Sequence, residues 1–113
     1  SLHAQSHGES FLALVQNRFG GEGLYLLDEP EAALSPARQL TLLGQMRLLA
    51  GEGSQLVVAT HSPILMSYPE AAVYLLSEKG IERTEYRHTE HYILTRRFLN
   101  DPEGMLRTLF GDG

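Results

Sequence analysis

The sequence predicts an α/β fold built on parallel strands, and three observations carry that prediction. A short apolar run, Leu24-Tyr25-Leu26-Leu27, leads straight into Asp28-Glu29-Pro30. A helix-spaced stretch follows from Ser35. A second short run, Gln55-Leu56-Val57-Val58-Ala59-Thr60, is apolar and rich in β-branched residues. Apolar runs of this length read as strands buried on both faces. Strand, helix and strand in that order make a βαβ unit, with parallel strands and a right-handed crossover. Both strands then end at one sheet edge, the edge where open α/β sheets bind ligands.

Each element has its own local reason. Residues 1–5 are a lead-in. Ser6 and Glu9 form a capping box that opens a helix over 6–19, with Phe11, Leu12, Leu14, Val15 and Phe19 at helical spacing. Gly20-Gly21 ends it. A glycine-flanked helix start such as Ser6-His7-Gly8-Glu9 also suits a phosphate, because free N–H groups and the positive dipole end point at it. Pro30 cannot donate to a ladder, so the first strand stops there. Ser35-Pro36 is an N-cap with proline at the first helical position. The helix it opens runs to about Ala50, and Leu40, Leu43, Met46 and Leu49 can form its buried face, with Arg38, Gln45 and Arg47 facing water. Ser62-Pro63 repeats the capping pattern before a short helical segment ending near Ser67. A third strand is expected over 71–76, a turn at Glu78-Lys79-Gly80, and a fourth strand over 81–87, together a hairpin spanning 71–87. From Thr89 the pattern is helical, with Tyr92, Ile93 and Phe98 on one face. Asn100-Asp101-Pro102 breaks it and caps a last helix carrying Met105, Leu106, Leu109 and Phe110.

The chain has 113 residues, 42% apolar and 20% charged, which is enough for one small domain with its own core and rules against disorder. A net charge of -5 argues against a general nucleic-acid surface while leaving room for a local basic patch. With no cysteine, disulfides, thiolate catalysis and cysteine zinc sites are excluded, which suits a reducing cytoplasm. No apolar run is long enough to span a bilayer. Asp28 at the end of a strand can hold a magnesium ion, and Glu29 beside it can orient or deprotonate a water. His61 follows the second strand and reaches the same edge. His88 and His91 lack a third ligand at suitable spacing, and with Arg96 and Arg97 they read as a solvated helix face.

These motifs, in this order, resemble the ATP-binding domain of the ABC-type ATPases. Ser6-His7-Gly8-Glu9 is similar to the family's signature motif. Residues 24–29 resemble its Walker B strand with the catalytic glutamate, residues 32–35 its D-loop, and Thr60-His61-Ser62 its switch-histidine loop. Asp28-Glu29-Pro30-Glu31-Ala32-Ala33-Leu34 resembles stand-alone, non-transporter members, often called AAA or ABC ATPases, whose relatives include DNA-repair and phage-defence ATPases. The resemblance implies a partial three-layer P-loop NTPase fold, with parallel core strands, a C-terminal hairpin over 71–87 and helices over 89–110. It implies ATP and Mg²⁺ as ligands, with Asp28 holding Mg²⁺ through water and Glu29 and His61 catalytic. Ser6, Gly8, Glu9 and Ser35 would bind nucleotide. It further implies a cytoplasmic protein whose domains close as a homodimer around two ATP molecules, with a nucleic acid or a toxin or defence factor as further partner.

Two residues depart from the pattern. His7 replaces the first signature glycine, so the backbone there approaches a phosphate less freely. Ser35 replaces the D-loop aspartate. There is no Gly-x-x-x-x-Gly-Lys-Ser/Thr phosphate loop and no Q-loop; family order puts both before Ser6, so the chain is expected to be the C-terminal portion of an ATPase domain. In that architecture the strand entering the phosphate loop separates the 55–60 and 71–76 strands. Without it, the 71–76 strand is expected to move beside 55–60, or exposed edges to pair between two chains. Two other readings are a receiver-like regulatory module with Asp28 as phospho-acceptor, and a metal-dependent hydrolase or nuclease using Asp28, Glu29 and His61. The first wants further acids and a lysine partner, and Lys79 lies in a turn. The second wants another carboxylate.

Overall fold

The computed structural model describes residues 23–112. The expected 6–19 helix lies outside the described residues, as do Ser6, Gly8 and Glu9. The chain divides between Tyr68 and Pro69 into two compact units, each taken by itself below.

The first unit is the βαβ element. Strand β1 (Leu24–Asp28) pairs in parallel with β2 (Gln55–Ala59), in a register that sets Leu24 opposite Gln55 and Asp28 opposite Ala59. Between them lie a 3-10 turn (Pro30–Ala33) and helix α1 (Pro36–Gly51). Ser35 caps α1, its Oγ accepting from the Arg38 amide at 3.2 Å, and Pro36 occupies the first turn, where no N–H is needed. The glutamate after the helix, Glu52, donates to the last carbonyls, and Gly53 takes φ 94°, which lets the chain turn back into β2.

Burial alternates strictly along β1. Tyr25 (1% exposed) and Leu27 face inward, while Leu24 and Leu26 (71% exposed) face outward. The expectation that this strand is buried on both faces is therefore corrected. Helix α1 covers one face of the pair, and among the described residues the Leu24, Leu26 and Val57 face is open. On the covered face Tyr25 and Leu27 pack with Leu49, Leu56 and Val58. A second cluster joins Leu34, Leu42, Met46 and Leu65. The buried stripe of α1 is Gln39, Leu42, Met46 and Leu49, while Leu40 is 61% exposed and Leu43 only partly buried. The helix is thus rotated from the expected phase. Spacings of three, four and three hold 39, 42, 46 and 49 on one line, and Leu42 at 0% exposure sets its centre.

The second unit opens with the hairpin of β3 (Val73–Ser77) and β4 (Gly80–Thr84). Ser77 stands opposite Gly80, leaving Glu78-Lys79 as a two-residue loop, and Gly80 takes φ 114°. The fourth strand stops at Thr84, short of the expected 81–87, because a 3-10 turn (Tyr86–His88) takes over the backbone bonding. Thr89 is fully buried. Its Oγ1 donates to the Tyr86 carbonyl at 2.8 Å and accepts from the Tyr92 amide at 3.1 Å, so it ends that turn and caps α2 (Glu90–Asn100). Asp101 caps α3 (Pro102–Phe110) by accepting from the Gly104 amide at 3.1 Å. On α2, Tyr92 and Phe98 are partly buried but Ile93 is exposed.

The described chain is mixed α/β, with a parallel pair, an antiparallel hairpin and three helices, compatible with part of a P-loop-type fold. Of the two outcomes expected for the third strand, a move beside β2 does not occur among the described residues. Among the described residues β1–β2 and β3–β4 are separate two-stranded sheets, and the local two-residue turn satisfies β3 through β4 instead. No helix among the described residues is long and apolar enough to cross a membrane.

Candidate active site

The parallel register brings four chemistry-bearing residues to one edge. Because Asp28 stands opposite Ala59, the residues that follow each strand, Glu29 on one side and Thr60 and His61 on the other, emerge together. Asp28, Glu29 and His61 are all solvent-exposed. Ser35, the fourth expected site residue described, is exposed as well and spends its hydroxyl capping α1.

Glu29 has an unusual backbone. Its φ of 47° and ψ of 54° lie in the left-handed region, which a non-glycine residue enters at a cost of about 1–3 kcal/mol. The conformation is held from both sides. The Glu29 amide donates to the Ala59 carbonyl at 2.7 Å, extending the β-ladder by one bond, and the Glu29 carbonyl accepts from Ala32 at 3.1 Å. Buried Pro30 then fixes the start of the turn. The kink swings the Glu29 side chain off the alternation of β1 and leaves it at the strand tip. Such strain is tolerated where a side chain must be aimed.

The two loops are fastened by Glu31. Its carboxylate accepts from the Thr60 hydroxyl at 2.6 Å on one oxygen and from the His61 amide at 2.9 Å on the other. Partial burial pushes this carboxyl up, but the Thr60 hydroxyl, the His61 amide, its own amide and the His61 charge together outweigh burial and hold it below its ordinary value. Thr60 Oγ1 also accepts from the Ser62 amide at 2.9 Å. The buried Ser62 hydroxyl donates to the Gln39 side-chain oxygen and accepts from the amides of Ile64 and Leu65, both at 3.1 Å. Gln39 in turn donates from Nε2 to the Leu34 carbonyl at 3.2 Å. A continuous chain of hydrogen bonds therefore ties the turn after β1, the start of α1 and the turn after β2.

Glu31, Gln39, Thr60 and Ser62 were not expected as site residues. Gln39 could be found only once the phase of α1 was known, because it is buried in line with Leu42, Met46 and Leu49, and a buried amide must find partners. Glu31 carried none, because its partners lie 29 and 30 residues away and only the strand register brings them together.

Among the described residues no three His, Asp or Glu side chains converge as a metal cage. The donor set at the edge fits magnesium nonetheless, because that ion commonly keeps its waters and takes one or two carboxylates plus phosphate oxygens. Asp28 supplies one exposed carboxylate of that kind. A hydrolase that relies on a protein-built metal cluster would need a third ligand, which the described edge does not offer.

Residues 10–67, just over half of the chain, match the family described as AAA domain, putative AbiEii toxin, Type IV TA system. No curated protein and no solved structure matches the chain.

Proposed function

The chain belongs to this family of AAA domains, and on that premise we propose that it is the C-terminal portion of an ABC-type ATPase domain, which hydrolyses ATP when joined to the phosphate loop that family order puts before Ser6. AAA domains of this kind are nucleotide-binding, so a site for a nucleoside triphosphate is the coarse expectation. The observation that carries the finer reading is the left-handed Glu29 at the tip of β1, next to the loop of His61.

In this reading Glu29 orients and deprotonates the attacking water. Its strained backbone aims the carboxylate before substrate arrives, and positioning is most of what phosphoryl transfer requires. Asp28 would hold Mg²⁺, through water, and the ion would neutralise charge on the phosphate oxygens. His61 donates to the γ-phosphate and stabilises the charge that develops there. Glu31 fixes the His61 amide, so the imidazole starts from a defined backbone position. Ser6, Gly8 and Glu9 bind the nucleotide of the partner in an ATP-sandwich homodimer, with Ser35 in the loop between the two sites. The surroundings are cytoplasmic, and the toxin wording of the family points to a defence setting for whatever output the cycle drives.

His61 offers the test. In the protein with its upstream residues, His61→Ala should slow Mg-ATP hydrolysis by about 10²–10³-fold, the usual loss for one charge-stabilising donor. The melting temperature should change little, since the substitution keeps both hydrogen bonds to Glu31, from the Thr60 hydroxyl and the His61 amide, and removes only the smallest of the influences on that carboxylate, the His61 charge. Unaltered hydrolysis, with a lowered melting temperature, would mean that His61 only shapes the loop.

A further inference from the structure

A basic groove lies on the second unit, away from any role given so far. It has a volume of about 350 Å³ and is lined by Arg87, Tyr92, Ile93, Arg96, Arg97 and Asn100. Three guanidinium groups and no carboxylate form its wall, in a chain whose net charge is -5. All three arginines are exposed.

The Tyr92 ring organises two of the three arginines. Arg87 lies over its face at 5.4 Å and also donates to its hydroxyl at 2.7 Å. Arg96 lies over the same ring at 6.0 Å. An arginine held on an aromatic face is oriented without being neutralised, so Arg96 keeps its N–H fork for an anion and Arg87 keeps the N–H groups that it does not give to the Tyr92 hydroxyl. Tyr92 is itself fixed, because Thr89 accepts from its amide and its ring packs against Tyr86 at 4.9 Å. Tyr92 thus holds two guanidinium groups in place at the groove.

The shape selects among anions. Ile93, Arg96, Arg97 and Asn100 follow one face of α2 over seven residues, a run of about 10 Å at the helical rise. A single phosphate needs far less, and a duplex needs a broader basic surface than this acidic chain carries. A charged groove of this length, with planar guanidinium groups beside Ile93, suits a strand whose phosphates repeat and whose bases are free to stack.

We propose that this groove binds the phosphodiester backbone of single-stranded nucleic acid. The inference stands on the second unit alone and is independent of the ATPase reading. The full chain should be titrated against a fluorescein-labelled oligothymidylate about a dozen nucleotides long, followed by fluorescence anisotropy. Saturable binding is expected, and three neutralised phosphates give a slope of log K against log salt of about -2. That corresponds to a loss of roughly 20-fold between about 50 and 200 mM salt. The double variant Arg96→Ala/Arg97→Ala should cut the slope to about -0.7, with its helical circular dichroism retained. Arg83→Ala, which removes the arginine over Tyr74 on the hairpin, should leave binding as it was. No saturable binding at low salt would overturn the proposal, and so would binding untouched by the double variant. Displacement of the strand by AMP or inorganic phosphate at equal phosphate concentration would reassign the groove to free phosphorylated molecules. Equal displacement by poly-glutamate would reassign it to acidic peptides.

Discussion

Glu31 shows how one carboxylate can fix a loop made of someone else's chemistry. It holds Thr60 and the His61 amide through two short bonds, and its acidity is raised by doing so. The sign follows from linkage. A carboxyl whose folded pKa lies below its unfolded value contributes fully above the ordinary value of 4.5 and loses that contribution as pH falls through the lower folded value. Glu31→Gln should therefore destabilise the unit near neutrality by about 0.5–1 kcal/mol, the usual gap between a charged and a neutral acceptor reduced by solvent screening at this partly exposed site. The difference between wild type and variant, read by denaturant unfolding at a series of pH values, should shrink as pH falls below 4.5 and through the lower folded value. A difference that stays constant across that range would show that the charge of Glu31 is not what braces the loop. The residue scale is also where sequence reasoning reached least. Asp28 and His61 could be put on one edge because strand order alone dictates it. The left-handed turn at Glu29 could not, since nothing local favours φ 47° in a glutamate. The bonds of Glu31 depend on a register set by the whole βαβ unit.

At the scale of elements, the βαβ order, the serine caps and the hairpin turn were legible because each rests on a local rule. Ser35, Ser62, Thr89 and Asp101 each accept amide bonds at the start of a turn or helix. The phase of α1 was not legible. Leu40, Leu43 and Leu48 stand beside Leu42 and Leu49, so two apolar stripes compete on one helix, and tertiary packing against Tyr25 and Leu65 decides between them. The consequence can be checked. Leu42→Ala removes a fully buried side chain between Leu34, Met46 and Leu65 and should destabilise the unit by about 2–5 kcal/mol. Leu40→Ala, on an exposed position, should stay within about 0.5 kcal/mol. Equal losses for the two would contradict this packing and restore the expected stripe through Leu40 and Leu43. The open Leu24, Leu26 and Val57 face was missed for a related reason. An apolar run signals burial by its composition, but only the packing shows which face α1 covers.

For the whole molecule, the proposed function gives water activation to Glu29 and charge stabilisation to His61, while the sequence contains no Gly-x-x-x-x-Gly-Lys-Ser/Thr phosphate loop. The 113-residue chain should therefore bind Mg-ATP weakly, with no saturation at low-micromolar concentration in a calorimetric titration. Tight stoichiometric binding would mean that the described edge and the residues before it form a complete site of another design. The central claim is that Glu29 activates the attacking water, and it is met most directly by Glu29→Gln in the protein joined to its upstream residues. The substitution keeps the shape and removes the base, so hydrolysis should fall about 10²–10⁴-fold while ATP binding persists, leaving an ATP-dependent dimer that survives a sizing column. Hydrolysis near the wild-type rate, with no trapped dimer, would contradict it.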